Sequence, residues 1–153
     1  MTENVASLRF QRQPSPVLSD HRPLYKICQL LLVLHLASRG GRSRLPRLHL
    51  FNWALKTEER SQLLVAAAKS KVLRMTAWGF DPALAIALRY AIAEGLIREV
   101  SSGYELTDQG TLVADDVAKA QDVFIVEKAV LTAVGKGITE AMVDAVARGW
   151  EEE

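Results

Sequence analysis

The segment "SRGGRSRLPRLH", residues 38–49, carries Arg39, Arg42, Arg44 and Arg47 and no acidic residue. Closely spaced guanidinium groups can reach successive phosphates, and each neutralised phosphate adds salt-dependent affinity without reading base sequence. A contact for an acidic protein partner and a plainly solvated loop are the alternatives. We predict that these four arginines contact the backbone of double-stranded DNA.

Other residue types that could do chemistry are present but poorly placed. The three histidines lie 14 residues apart and never form the His-x-x-x-His pattern of paired metal ligands. Cys28 lies inside an apolar run, where we expect it to pack. Asp115 and Asp116 are adjacent on a predicted helix and so point in different directions, which makes a poor acid/base pair. "SRGGRSR" also lacks the Gly-Lys-Ser/Thr ending of a phosphate-binding loop. We therefore predict no catalytic residue, no metal, no cofactor and no enzymatic activity.

The overall composition is that of a globular protein with one core. The chain has 153 residues, of which 49% are hydrophobic and 24% charged. The net charge of +1 is uneven, because residues 1–60 hold 10 Lys and Arg against 4 Asp and Glu. A single cysteine suits a reducing compartment, and the start of the chain lacks a secretory signal pattern. The longest apolar run, 27–37, is too short to cross a bilayer. We predict a cytoplasmic location and no membrane contact.

The elements before residue 96 read as helices. Residues 23–38 form a helix that is apolar nearly all round, which predicts burial on more than one side. Pro46 is placed to begin a second helix and Thr57 to cap a third. Asp81 followed by Pro82 gives the clearest helix start in the chain, and that helix ends near residue 95.

A hairpin and further helices follow. "LIREVSSGYEL" has two β-rich runs joined by Ser-Ser-Gly, and Thr107 begins a helix after them. Residues 107–121 and 122–135 form one bent helix or two, and Thr139 caps a last helix. A valine-rich stripe in 122–135 either completes the core or binds another subunit.

The order of helices, then hairpin, then helix predicts a mainly α fold of the winged-helix type, a helix-turn-helix with a β-hairpin wing. We divide the chain into an N-terminal arm and linker at 1–22, a winged-helix domain at 23–121 and a C-terminal helical extension at 122–153. The helix 81–95 would be the recognition helix. It offers base edges little besides Arg89 and Tyr90, so Arg89 is a further candidate for nucleic-acid contact.

Two groups of apolar residues are candidates for partner contact. The arm alternates polar and apolar residues like a short strand, which predicts that it pairs with another sheet edge, either the wing of its own chain or a strand of a partner. Leu8 and Phe10 are therefore candidates for partner contact. In the second group are apolar residues of the helix 23–38 and of the helix that follows it, because the first helix has more apolar surface than one side can bury. These residues are Leu32, Val33, Leu36, Phe51 and Trp53.

Three segments together resemble a known family. They are "RPLYKICQLLLVLHLASRGGRSRLPRLHLFNWALK", "WGFDPALAIALRYAIAEGLI" and "YELTDQG", covering roughly residues 22–110. This pattern resembles the small middle component of three-component ABC ATPase systems, the group that includes the accessory subunit of Lamassu-type antiphage defence. The resemblance implies a subunit without catalytic activity, bound to an SMC-like coiled-coil ATPase and to an effector that is often a nuclease.

We therefore expect a non-catalytic winged-helix accessory subunit that docks on an SMC-like ABC ATPase in an antiphage defence complex. There it would help the ATPase hold or sense DNA. The alternative is a free-standing dimeric winged-helix transcription regulator, whose helix 81–95 enters a major groove and reads one palindromic site.

Overall fold

The computed structural model of the chain describes the backbone of residues 23–75 and 78–152, with side chains up to residue 148. The predicted arm, with Leu8 and Phe10, lies outside the described residues. The fold is mainly helical with a small antiparallel sheet, as the sequence predicts at that level. In chain order the elements are α1 (Pro23–Leu36), β1 (Arg42–Ser43), α2 (Leu45–Ala54), α3 (Glu58–Ser70), α4 (Pro82–Ala93), β2 (Ile97–Val100), β3 (Gly103–Leu106), α5 (Asp108–Lys119), α6 (Ile125–Val134) and α7 (Glu140–Glu152).

Helix α1 is the central element of the core. Every residue from Lys26 to Leu34 is buried, and the helix packs against α4, α5 and α6. The prediction that this helix is buried on more than one side is confirmed. Its apolar surface is covered by other helices of the same chain, so burial of this helix does not require self-association.

The helix starts follow the sequence signals. The Asp81 side chain accepts a hydrogen bond from the Ala83 amide, with Pro82 at the first helical position. Thr57 accepts from the amide of Arg60, and Thr107 accepts from that of Gly110. These side chains satisfy amide groups that have no partner within the helix.

The sheet has the strand order β1-β3-β2, and both pairs are antiparallel. The β2–β3 hairpin is the one that the sequence predicts, with Val100 opposite Gly103 at its tip. The two-residue strand β1 adds to β3, with Arg42 opposite Glu105. This pairing places the arginine-rich segment along the edge of the hairpin.

Residues 107–135 form two helices, α5 and α6, and the C-terminal helices share the core of the rest of the chain. Val130 and Val134 of α6 are buried, which makes this part of the valine stripe a core element. Ile138 and Val143 flank the start of α7 and are also buried. Met142 donates its amide to the Thr139 hydroxyl at 3.2 Å, as expected for a cap.

A buried polar cluster fixes the start of α4. Lys26 Nζ donates to Asn52 Oδ1 at 2.6 Å, and Asn52 Nδ2 donates to Asp81 Oδ2 at 2.9 Å. The Asp81 amide donates to His49 Nδ1 at 3.3 Å, and Lys56 Nζ lies 3.3 Å from Asp81 Oδ2.

Burial lowers the pKa of His49, although the Asp81 charge opposes this. Partial burial would raise the pKa of Asp81, but hydrogen bonds from Asn52, the Ala83 amide and Lys56 outweigh it and lower that pKa to about 2.

This cluster predicts a stability that falls with acid in two steps. The folded state favours neutral His49, so the unfolded chain binds its proton first and stability decreases as the pH falls below about 6.5. Folded Asp81 favours its anion, so a second loss is expected between about pH 4 and pH 2. Thermal denaturation across the pH range measures both steps. His49→Asn keeps an acceptor near Nδ1 and should remove the first step only; an unchanged profile in that variant would contradict the assignment.

Within the described ranges, 23–75 and 78–152, no helix is long and apolar enough to cross a membrane.

Candidate nucleic-acid interface

The arginine-rich segment leaves α1 through a tight turn. Ser38 is buried, and a short 3-10 turn follows over Arg39–Gly41. Gly40 and Gly41 have φ angles of 66° and 68°, a backbone region that residues with a Cβ rarely adopt. The two glycines therefore let the chain reverse from the end of α1 into β1, which exposes Arg39 at the bend.

The hairpin tip lies directly against this segment. A Cβ added at Gly103 would come within 2.5 Å of the Ser43 carbonyl oxygen, so the hairpin can approach only because residue 103 is glycine. Tyr104 pairs with Ser43 in the sheet register. The hairpin tip and the arginine-rich segment consequently form two adjoining walls.

A third wall comes from the α6–α7 connection, residues 136 and 138–140. The three walls enclose an open cleft of about 530 Å³. Its lining has five cationic side chains and one carboxylate, that of Glu140. The cations are Arg39, Arg42, Arg44, Arg47 and Lys136. We call this site the basic cleft.

Arg42 and Arg44 are exposed but already have acidic partners. Arg42 Nη2 lies 3.4 Å from Glu105 Oε2, and the same carboxylate accepts from Arg98 Nε at 3.0 Å. Arg44 Nη1 donates to Asp144 Oδ2 at 3.0 Å. The Arg44–Asp144 pair is exposed on both sides and therefore weak, so Arg44 can exchange its carboxylate for a phosphate. The Arg42 side chain is 59% exposed, whereas its partner Glu105 is only 17% exposed.

The structure corrects the prediction that Arg47 contacts the DNA backbone. Only 3% of its surface is exposed, and it donates to the carbonyl oxygens of Ala37 and Ile138 and to the Ser38 hydroxyl. Its guanidinium carbon lies 4.7 Å from the centre of the Phe51 ring. Burial lowers its pKa to about 10, while the Glu140 charge opposes this shift, so it stays charged at neutral pH. Arg47 forms the floor of the basic cleft and cannot reach a phosphate of DNA.

The structure brings Lys136 to the basic cleft, which the sequence analysis missed. Lys136 is exposed and lies between α6 and α7, 89 to 97 residues further along the chain than the four arginines. No local pattern marks it, because only the packing of the C-terminal helices brings it beside the hairpin. Arg89, in contrast, is exposed on α4 and is not part of the cleft lining.

Three of the five described residues that are predicted for partner contact are buried in the core, which is a second correction. Leu32, Val33 and Phe51 are buried because α1 is covered by helices of its own chain and α2 packs on it. Leu36 is only partly buried, but it packs against the same core. Trp53 is half-buried, with the Arg60 guanidinium 4.6 Å from its ring centre.

The described part of the chain exposes large apolar side chains in several places, and some of them lie at and before α4. Ile86 and Tyr90 are four residues apart, so they share one side of the helix, and each is about half exposed. Phe80 is 65% exposed, and its ring lies against that of His49 at a tilt of 41°, with 4.7 Å between ring centres. Large exposed apolar side chains grouped in this way often mark protein interfaces.

Among the residues that the structure describes, no group of three or more His, Cys, Asp or Glu side chains could hold a metal ion. Cys28 is buried in α1.

Comparison with protein-family models, with curated proteins and with solved structures finds no match for the chain.

Proposed function

We propose that the chain is a non-catalytic winged-helix accessory subunit of an antiphage defence complex. In this complex it contacts the phosphate backbone of duplex DNA and docks on an SMC-like ABC ATPase. The observation that carries the proposal is the basic cleft, where Arg39, Arg42, Arg44 and Lys136 meet beside a hairpin tip.

The winged-helix assignment is supported by the order of the elements. A first helix, a short strand, helices and a hairpin follow one another, and the first strand pairs with the second strand of the hairpin. The helix that directly precedes the hairpin, α4, corresponds to the recognition helix of a winged helix. Helix α3 and the long connection after it are additions to that order.

Contact with the DNA backbone is a better match to the chemistry than base reading. Four exposed cations in one cleft can each neutralise a phosphate, and such contacts are insensitive to sequence. The exposed side of α4 carries Ile86 and Tyr90 with a single arginine, which is too little for hydrogen bonding to several base edges. These features make the transcription regulator the weaker hypothesis for the function of the chain.

The apolar side of α4 is the surface that we assign to the ATPase. The resemblance of residues 22–110 to middle components of three-component ABC ATPase systems supplies the class of partner. Docking through α4 would use residues other than those of the basic cleft, since Phe80, Ile86 and Tyr90 are not part of its lining. A nuclease effector would join the same complex.

Affinity purification from the native host tests this proposal. The tagged chain should retain a large coiled-coil ATPase, identified by mass spectrometry, and duplex DNA that nuclease treatment removes. Ile86→Glu should lose the ATPase, because a charge would be buried in the apolar contact. Leu112→Glu is the matched control, since Leu112 is 67% exposed on α5, and it should keep the ATPase. Recovery of the chain with neither an ATPase nor DNA would contradict the proposal, and tight binding to one palindromic site by the chain alone would favour the regulator.

A further inference from the structure

We propose that Asp144 determines the specificity of the basic cleft: it holds Arg44 in an ion pair that an incoming phosphate must displace, so the cleft binds a polyanion in preference to a single phosphate. This inference rests on the proposed function, because it concerns how the same cleft selects its ligand.

The geometry gives Arg44 two acidic contacts from one helix. Its guanidinium donates to Asp144 Oδ2 at 3.0 Å, and its backbone amide donates to Glu140 Oε2 at 3.0 Å. Glu140 and Asp144 are four residues apart and so lie on the same side of α7. Glu140 fixes the backbone of the arginine-rich segment, while Asp144 occupies the side chain that would otherwise bind a phosphate.

Arg44 and Arg47 differ in how readily they can exchange their partners for a phosphate. The side chains of Arg44 and Asp144 are 48% and 36% exposed, so water screens their ion pair and makes it easy to break. Arg47, by contrast, is buried and donates to two carbonyl groups that would lose this charged donor if it moved. The cleft therefore has a fixed cation in its floor and an exchangeable one at its edge.

Competition within the chain favours ligands with several phosphates. A tethered carboxylate acts at an effective concentration on the order of millimolar or above, so a free phosphate of similar affinity for the guanidinium needs a comparable concentration to displace it. A duplex that is already held by Arg39 and Lys136 presents its next phosphate in the same intramolecular manner. Asp144 thus penalises a lone phosphate more than a nucleic-acid backbone.

Asp144→Asn tests the inference with two ligands at constant ionic strength, a 20-base-pair duplex and inorganic phosphate. We expect affinity for the duplex, measured by fluorescence anisotropy, to rise about threefold, because the exposed ion pair that it displaces is weak. Affinity for phosphate, measured from the amide NMR shift of Arg44, should rise by a larger factor. Asp116→Asn removes the same charge on α5, outside the cleft lining, and should change both affinities less than twofold.

The effect must also depend on Arg44. In an Arg44→Ala background, Asp144→Asn should change duplex affinity no more than Asp116→Asn does. Equal effects of the two Asp→Asn changes on wild-type protein would overturn the inference, because they would show a general charge effect. If the wild-type chain binds no duplex at any salt concentration, the proposed function fails; the phosphate titration then still decides whether Asp144 competes for Arg44. Thermal unfolding should show the same midpoint, within a few degrees, for each Asp→Asn variant.

Discussion

Replacing Arg47 by alanine is expected to lower the free energy of unfolding by about 3–5 kcal/mol, the range typical of breaking a buried charged network. The change would leave the carbonyl groups of Ala37 and Ile138 and the Ser38 hydroxyl without their donor in a buried place. It would also remove the positive charge that faces Glu140. Because these contacts join α1, α2 and the start of α7, the loss affects the whole fold.

Urea denaturation of wild type and variant measures this difference. Arg39→Ala is the matched control, since it removes the same side chain from an exposed position in the same segment and should change stability by less than about 0.5 kcal/mol. Equal stability losses in the two variants would contradict the structural role assigned to Arg47.

The helical elements were predictable because their signals are local. The side chains of Asp81 and Thr107 each accept a hydrogen bond from an amide of the next turn, and Pro82 follows Asp81 at the first helical position. A few adjacent residues therefore decide where each helix starts. The hairpin was predictable for the same reason, from two β-rich runs and a short turn. Strand β1 was not, because it has two residues and exists only through its pairing with β3.

The site was predictable only in part because burial depends on distant contacts. Four arginines in one segment look equivalent in the sequence, yet Arg47 points inward because α2 starts two residues before it and turns it toward Ile138. The fourth exposed cation, Lys136, comes from a different part of the chain. The apolar residues of α1 were assigned to a partner because nothing local shows that α4, α5 and α6 cover them.

The second large effect is expected for DNA binding. Replacing Arg39, Arg42, Arg44 and Lys136 together by alanine should weaken affinity for duplex DNA by about two orders of magnitude at low salt, since four phosphate contacts are lost. The slope of log affinity against log salt should become shallower by about 3 to 4, from roughly 0.9 for each neutralised phosphate. Folding should persist, because all four side chains are exposed.

The decisive measurement is duplex affinity over a salt series, by fluorescence anisotropy, for the wild type, this fourfold variant and a control that lacks four exposed cations outside the cleft lining. The control replaces Lys69, Lys71, Arg74 and Lys119 by alanine. We predict that the fourfold variant loses affinity equally for two duplexes of unrelated sequence and that the control keeps a slope close to that of wild type. Equal losses in the two variants, or a fourfold variant that binds DNA as wild type does but no longer assembles with the ATPase, would contradict the account. The second of these results would show that the cleft meets acidic residues of a protein partner.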